Sequence, residues 1–252
     1  MRPDHAFVIS RRRKDTARLA GLLWFLSAVT GGLGLSYVRS SVIVVGDAAA
    51  TAANIVASES LFRAAIVSSL LSQIFLFFVG LILFHLFKEV NKVLATVCLT
   101  SVMMTVAIAV VNTLNLFGTL LVSSQAEYLK VFNPEQLNAM AMIFLRLANS
   151  GQGLLEIFWT PYYFSFGLLI IRSRFLPKIL GILLMIMSVG FAINIFTKFL
   201  IPQFYPAIFT QLAMGLGALG GIPTILWLLI KGAKAQPLDT QAPTANGAHP
   251  QP

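Results

Sequence analysis

Six long apolar stretches, separated by short polar loops, restrict this chain more than any other feature of it. They fall at 18–38, 62–87, 93–123, 150–171, 178–200 and 207–230. About 20 apolar residues in a helix are needed to cross a bilayer core. Unpaired backbone groups are too costly in lipid, so such segments must be helices or strands of a closed barrel. A barrel would use shorter segments of alternating polarity. Charged residues make up only 11% of the chain, against 57% hydrophobic. A water-soluble domain carries about 25% charged residues, so this chain lacks the charge to coat a surface in water. The expected fold is all-α, an integral membrane bundle of six transmembrane helices.

The loops orient the bundle. With the N-terminus inside, thirteen of the 18 Lys and Arg residues lie on the inner side. These include the Arg11-Arg12-Arg13-Lys14 run, Lys88 and Lys92, Arg172, Arg174 and Lys178, and Lys231 and Lys234. Arg39, Arg63, Lys130, Arg146 and Lys198 remain for the outer side. Positive residues are retained in the cytoplasm, so both termini are expected there. This distribution accounts for the net charge of +9. It points to the lipid bilayer as the partner, including anionic headgroups near the basic run, and not to nucleic acid.

The expected organisation is a basic cytoplasmic N-terminal segment over 1–17, a six-helix membrane domain over 18–234 and a disordered cytoplasmic tail over 235–252. The tail is rich in Pro, Ala, Thr, Gln and Gly, and it lacks the apolar bulk to offset the entropy of folding. The first apolar run is too long for the core of a signal peptide and reads as a retained span. Cys98 is the single cysteine, so no intramolecular disulfide can form.

Two outer loops carry helix signals, and short amphipathic helices are expected in the first and third loops. In the first, Asp47 precedes three alanines and is a good N-cap. Asp47, Thr51, Asn54 and Ser58 share one face at helical spacing. In the other, Asn133-Pro134-Glu135-Gln136 has the makings of a capping box with Pro at the first helical position. Leu137, Met140, Phe144 and Leu147 follow as an apolar stripe leading toward span four.

These loop sequences resemble a known family. Val38-Arg39, the stretch Val42-Ile43-Val44-Val45-Gly46-Asp47-Ala48-Ala49-Ala50-Thr51-Ala52-Ala53-Asn54-Ile55 and Ser58-Glu59-Ser60-Leu61-Phe62-Arg63 carry the likeness most specifically. Lys88-Glu89-Val90-Asn91-Lys92, Asn133 to Gln136, Arg172-Ser173, Phe175-Leu176-Pro177 and Leu180-Gly181 add to it. Over roughly 18–200 the chain resembles the bacterial membrane family called domain of unknown function 4386. The resemblance implies an integral protein of the bacterial plasma (inner) membrane and no particular activity. Members often have a His and an acidic residue near positions 148 and 153, where this chain has Ala148 and Gly153. Glu156 is a displaced alternative for the acid.

Glu156 is the only carboxylate inside a predicted span. An ionisable group at that depth costs about 3 kcal/mol on insertion scales, and usually faces a cavity or a partner. Asn149, Gln152, Glu156, Thr160 and Tyr163 form a polar stripe, with the helix-weakening Pro161 beside it. Span three adds Asn112 and Asn115, span five Asn194 and Lys198, span two Gln73 and span six Gln211. In the predicted orientation most of these lie in the outer half of the bilayer. Asp47, Asn54, Gln73, Asn112, Asn115, Gln152, Glu156, Asn194, Lys198 and Gln211 therefore make a candidate outward-facing pocket capped by the first-loop helix. The other reading is a scatter of interhelical hydrogen bonds, each worth about 0.6 kcal/mol. Lys198 is within reach of Glu156 as an ion-pair partner.

Several motifs lead nowhere. Gly215-Leu216-Gly217-Ala218-Leu219-Gly220 matches a dinucleotide fingerprint, but it lies in a membrane span with no preceding strand. Gly217 and Gly221 suit close helix packing instead. His5, His85 and His249 are too dispersed for a metal site, and no catalytic triad can be assembled. The sequence thus points to no cofactor and leans away from an enzyme. It favours a protein that binds or transports a small polar or amphiphilic molecule, or a lipid. The alternative is an accessory protein packing against a membrane-protein partner, or as a homo-oligomer, through the small-residue faces at Ala28/Gly32 and Gly217/Gly221.

Overall fold

The computed structural model describes residues 3–124, 126–201 and 207–233, without the side chains of 3–12, 35–39, 207–214, 216 and 217. Among the described residues there is no strand. The helices are α1 (Pro3–Tyr37), α2 (Ala48–Ala57), α3 (Glu59–Phe87), α4 (Lys92–Ser123), α5 (Pro134–Ser173), α6 (Lys178–Leu200) and α7 (Ala207–Ile230). A π-helical turn, Val38–Val42, follows α1, and a 3-10 turn, Glu127–Val131, precedes α5. Five helices are long and apolar enough to cross a membrane, within α1 and along α3, α4, α5 and α6. The chain is a multi-pass membrane protein.

The six long helices close into a ring in the order α1, α3, α4, α5, α6, α7 and back to α1. The four-residue links 88–91 and 174–177 make α3 and α4, and α5 and α6, antiparallel neighbours. Asn91 caps α4 by accepting from Leu94 N–H at 2.9 Å. Close approach between helices depends on small residues. Gly167 of α5 and Gly181 of α6 face each other so tightly that a Cβ on either would fall within 2.6 Å of the other's carbonyl oxygen. In α7 it is Gly220, against the Leu183 carbonyl, that makes such a contact, whereas Gly221 faces open space. Serines join α1 to α3 reciprocally: Ser27 Oγ donates to the Ser72 carbonyl at 3.0 Å and Ser72 Oγ to that of Ser27 at 2.8 Å. At the other side of α1, Arg18 donates to the Ile230 carbonyl at 2.9 Å and so caps the end of α7.

The ring is filled unevenly. Toward the end that carries the α3–α4 and α5–α6 links, Trp24, Phe87, Tyr162, Phe166 and Phe175 pack edge to face, tilted or stacked, with centroids 5.1 to 6.5 Å apart. Toward the other end a second apolar cluster joins Val42 and Ile55 to Phe62, Ala65, Ile66, Leu120 and Leu145. This cluster seats α2 across α3, α4 and α5. Buried polar side chains include Ser72 of α3, Asn112 of α4, and Ser188 and Asn194 of α6.

The expected third-loop helix is not a separate element. The Asn133–Gln136 capping box forms, with bonds of 2.8 and 2.9 Å, but the helix it starts runs on for 40 residues to Ser173. At 1.5 Å per residue that is about 60 Å, twice a bilayer core. Ser150-Gly151-Gln152-Gly153 interrupts the apolar run without breaking the helix, because α4 packs along it: Phe144 lies on Gly118 and Asn112 against Gly151. Likewise α1 starts at Pro3, so the basic segment continues the first helix. The tail from 235 lies outside the described residues.

Candidate functional site

The loop before α2 bends at Gly46, whose φ of +85° suits a glycine. The first-loop motif then folds on itself. Asp47 accepts from Ala50 N–H at 2.8 Å, as expected of an N-cap. Thr51 Oγ1 accepts from Val44 N–H at 3.0 Å and donates to the Asp47 carbonyl at 2.8 Å. Asn54 Nδ2 donates to the Val42 carbonyl at 3.3 Å. The polar face of α2 therefore satisfies the extended segment before it, whose backbone groups have no helical partners. Asp47 and Asn54 are thus engaged in bonds within this first-loop unit. Val42 and Ile55 of this unit are buried in the second apolar cluster, and Ile43 lines a neighbouring cavity, so the unit's contribution there is apolar.

Beneath Ile43 lies a small sheltered cavity of about 60 Å³. Ser69 of α3, Asn112 and Thr113 of α4, and Ala148, Asn149 and Gln152 of α5 surround it, with Gly34 of α1 at one side. The space equals about two waters at the liquid's ~30 Å³ each. Asn112 is fixed in the wall: its Nδ2 donates to the Ala148 carbonyl at 2.9 Å, and its Oδ1 accepts from Asn115 Nδ2 at 3.0 Å. Gly151 is what lets it approach, since a Cβ there would collide with the Asn112 amide. Gln73 is one helical turn inward of Ser69 on the same face of α3. Its Oε1 is buried and accepts no hydrogen bond.

One turn inward of Gln152, on the same face of α5, comes Glu156. Asn194 Nδ2 donates to Glu156 Oε2 at 2.7 Å and is itself 4% exposed. Lys198 makes no ion pair with Glu156 within 4.0 Å; its ammonium lies against Gly153, 2.6 Å from where a Cβ would stand. The direct partner of Glu156 is thus Asn194. The space beside Gly153 is filled by the Lys198 amine. Farther inward Ser188 Oγ donates to the Thr160 carbonyl at 2.8 Å, next to Pro161, through which α5 runs unbroken. The side chain of Gln211 lies outside the described residues.

The chain matches the family described as Domain of unknown function (DUF4386) over residues 19–232. It belongs to that family. No curated protein and no solved structure matches it. The first-loop unit, the amide-lined cavity and the Glu156–Asn194 bond all fall inside the segment matched to DUF4386.

The structure brings Asn112 and Gln152 together around the cavity, with Asn115 bonded to Asn112, and Glu156, Asn194 and Lys198 along the α5–α6 seam. Sequence reasoning missed Ser69, Thr113 and Asn149 as cavity residues. Ser69 and Thr113 carry small hydroxyls that usually bond within their own helix in a span, so they gave no signal. Among the described residues no group of His, Cys, Asp and Glu could hold a metal.

Proposed function

We propose that this DUF4386 member binds a small polar or amphiphilic molecule, and possesses an outward-facing pocket through which it enters or is transported. The observation that carries the reading is the cavity walled by the amides of Asn112, Asn149 and Gln152. One helical turn from its Ser69, on the same face of α3, the amide oxygen of Gln73 is buried and accepts no hydrogen bond. A buried acceptor without a donor costs about 1–3 kcal/mol, which a ligand N–H or O–H reaching it would offset. Glu156 and Lys198 give the neighbouring seam one charge of each sign.

The reading includes six spans, α7 being the sixth, in the inner membrane of a bacterium, with both termini and the tail in the cytoplasm. At 24 residues α7 is about 36 Å long, enough to cross. The excess of Lys and Arg on the inner loops supports the orientation. On this reading the α2 unit lies outside as a plug, with Ile43 over the pocket.

Access is tested by labelling. A cysteine at Gln152, in a Cys98→Ser background, is treated in intact cells with a membrane-impermeant maleimide. Labelling from outside is expected, faster when Thr51→Val loosens the plug. Labelling only in inverted vesicles would reverse the orientation, and no labelling from either side would refute the pocket.

An accessory role has its own support. Gly32, Gly215 and Gly221 have nothing within 4 Å of a would-be Cβ, so close-packing faces of α1 and α7 are left open. If these faces join copies of the chain or a partner, Gly221→Leu lowers the mass of the purified particle. An unchanged mass counts against association.

A further inference from the structure

On the reading that the outer pocket holds a ligand, the walls of its cavity narrow that ligand's chemistry. Among the described residues lining it, none is charged. Ile43, Leu116, Leu145 and Ala148 give it an apolar side, and Ser69, Thr113 and the amides a polar one. Neither Glu156 nor Lys198 is part of the wall. An ion entering would give up its hydration with no opposite charge to meet it, a far greater cost than burying a neutral polar group. The space of about 60 Å³, two waters' worth, limits the guest to about four non-hydrogen atoms.

The polar groups differ in what they have left to offer. Ser69 Oγ donates to the Ala65 carbonyl at 2.9 Å, and Thr113 Oγ1 to the Ala109 carbonyl at 2.9 Å. A hydroxyl has one hydrogen, so each is left with lone pairs only. Asn112 and Asn149 already have partners. Gln152 makes no hydrogen bond among the described residues, so its amide keeps both N–H groups and its carbonyl oxygen. The cavity thus offers a guest hydroxyl acceptors from α3 and α4. From α5 it offers an amide edge with donor and acceptor side by side.

A primary amide matches that edge. Its N–H can donate to Gln152 Oε1 while its carbonyl accepts from Gln152 Nε2, two parallel bonds in one plane. Its second N–H is left for a hydroxyl oxygen. An alcohol has a single hydrogen and satisfies only part of this set. A carboxylate would set its oxygens against the lone pairs of Ser69 and Thr113. We propose that the cavity binds an uncharged primary amide of about urea's size, paired edge to edge with Gln152 and donating to Thr113 or Ser69. A short carbon substituent would lie against Leu116 and Leu145. A ketone of the same shape has no N–H to donate and leaves the acceptors unmet.

The test titrates the full chain in lipid nanodiscs with compounds of one shape: acetamide, acetate, acetamidinium, acetone and propan-2-ol. Binding is read by nuclear magnetic resonance as saturation transfer to the ligand C–H protons, with empty nanodiscs subtracted. Wild type is expected to bind acetamide about tenfold tighter than any of the others, roughly the worth of one to two net hydrogen bonds. Gln152→Leu removes that preference. Gln152→Glu passes it to acetamidinium, whose paired N–H groups meet a carboxylate. Thr113→Val weakens acetamide about threefold. Each variant is first matched to wild type in elution and helical circular dichroism, and the near-isosteric Gln152→Glu serves if Gln152→Leu fails that match. Acetate or acetamidinium bound by wild type as well as acetamide overturns the proposal in favour of an ion site. Propan-2-ol or acetone bound as well overturns it in favour of a hollow open to any polar solute. Binding of none of the compounds overturns it too, as does an unchanged ranking in Gln152→Glu. The pocket reading fails separately, when a cysteine at Gln152 is labelled from neither side.

Discussion

Gly151 gives the sharpest test of how the amide-lined cavity is built. In an ordinary helix Gly→Ala is favourable by about 1 kcal/mol. Here the added methyl would collide with the Asn112 amide. Asn112 would have to rotate, which breaks its bond to the Ala148 carbonyl and removes the acceptor of Asn115 Nδ2. At about 0.6 kcal/mol each, those two bonds are worth about 1.2 kcal/mol. Overpacking adds about 1–3 kcal/mol. Set against the propensity gain, Gly151→Ala should cost about 1–3 kcal/mol. In an Asn112→Ala background the obstacle is gone and the same change should stabilise by up to about 1 kcal/mol. The double-mutant cycle therefore predicts a coupling of about 2 kcal/mol or more between residues in direct contact. Reversible unfolding in mixed micelles measures it. Equal effects of Gly151→Ala in both backgrounds would refute the claim that this glycine exists to admit the amide.

Other substitutions probe other parts. Asp47→Ala removes the N-cap of α2 and should cost about 0.5–2 kcal/mol, read from the same unfolding curves. Gly181→Val drives a side chain into the Gly167 carbonyl and should cost more than about 2 kcal/mol, whereas Gly32→Val, facing open space, should stay within about 0.5 kcal/mol. Glu156→Gln keeps an acceptor for Asn194 and should cost under about 1 kcal/mol. Glu156→Leu removes that bond and should cost about 1–3 kcal/mol. Because Asn194 and not Lys198 holds Glu156, Lys198→Met should not rescue Glu156→Leu in thermal melts.

The helices were legible because crossing a bilayer imposes a length and a composition that few other structures share. The caps at Asp47, Asn91 and Asn133 were legible because they act through neighbours in sequence. Three features were not. Ser150 to Gly153 looks like a boundary, yet packing on α4 carries the helix through it. The polar side chains of α2 look aimed at a ligand, yet they turn to the unpaired backbone of Val42–Val44, which no helical wheel displays. And because the spans are apolar all round, periodicity could not mark Trp24, Phe87 and Phe166 as the filling of the ring. Within the site, the amides of Asn112 and Gln152 were found from spacing alone. The reach of Lys198 to Gly153 was not, since a gap becomes a seat only when the neighbouring helix is in register.

The central claim is that the outer polar band holds a ligand. Native mass spectrometry of the full chain, purified gently from its own membrane, tests this most directly. A retained small molecule or lipid is predicted in wild type, and its loss in both Glu156→Ala and Gln152→Ala, with each variant still folded. A wild-type protein that carries nothing these two substitutions remove would contradict the claim, and would leave the outer amides as hydrogen bonds between helices.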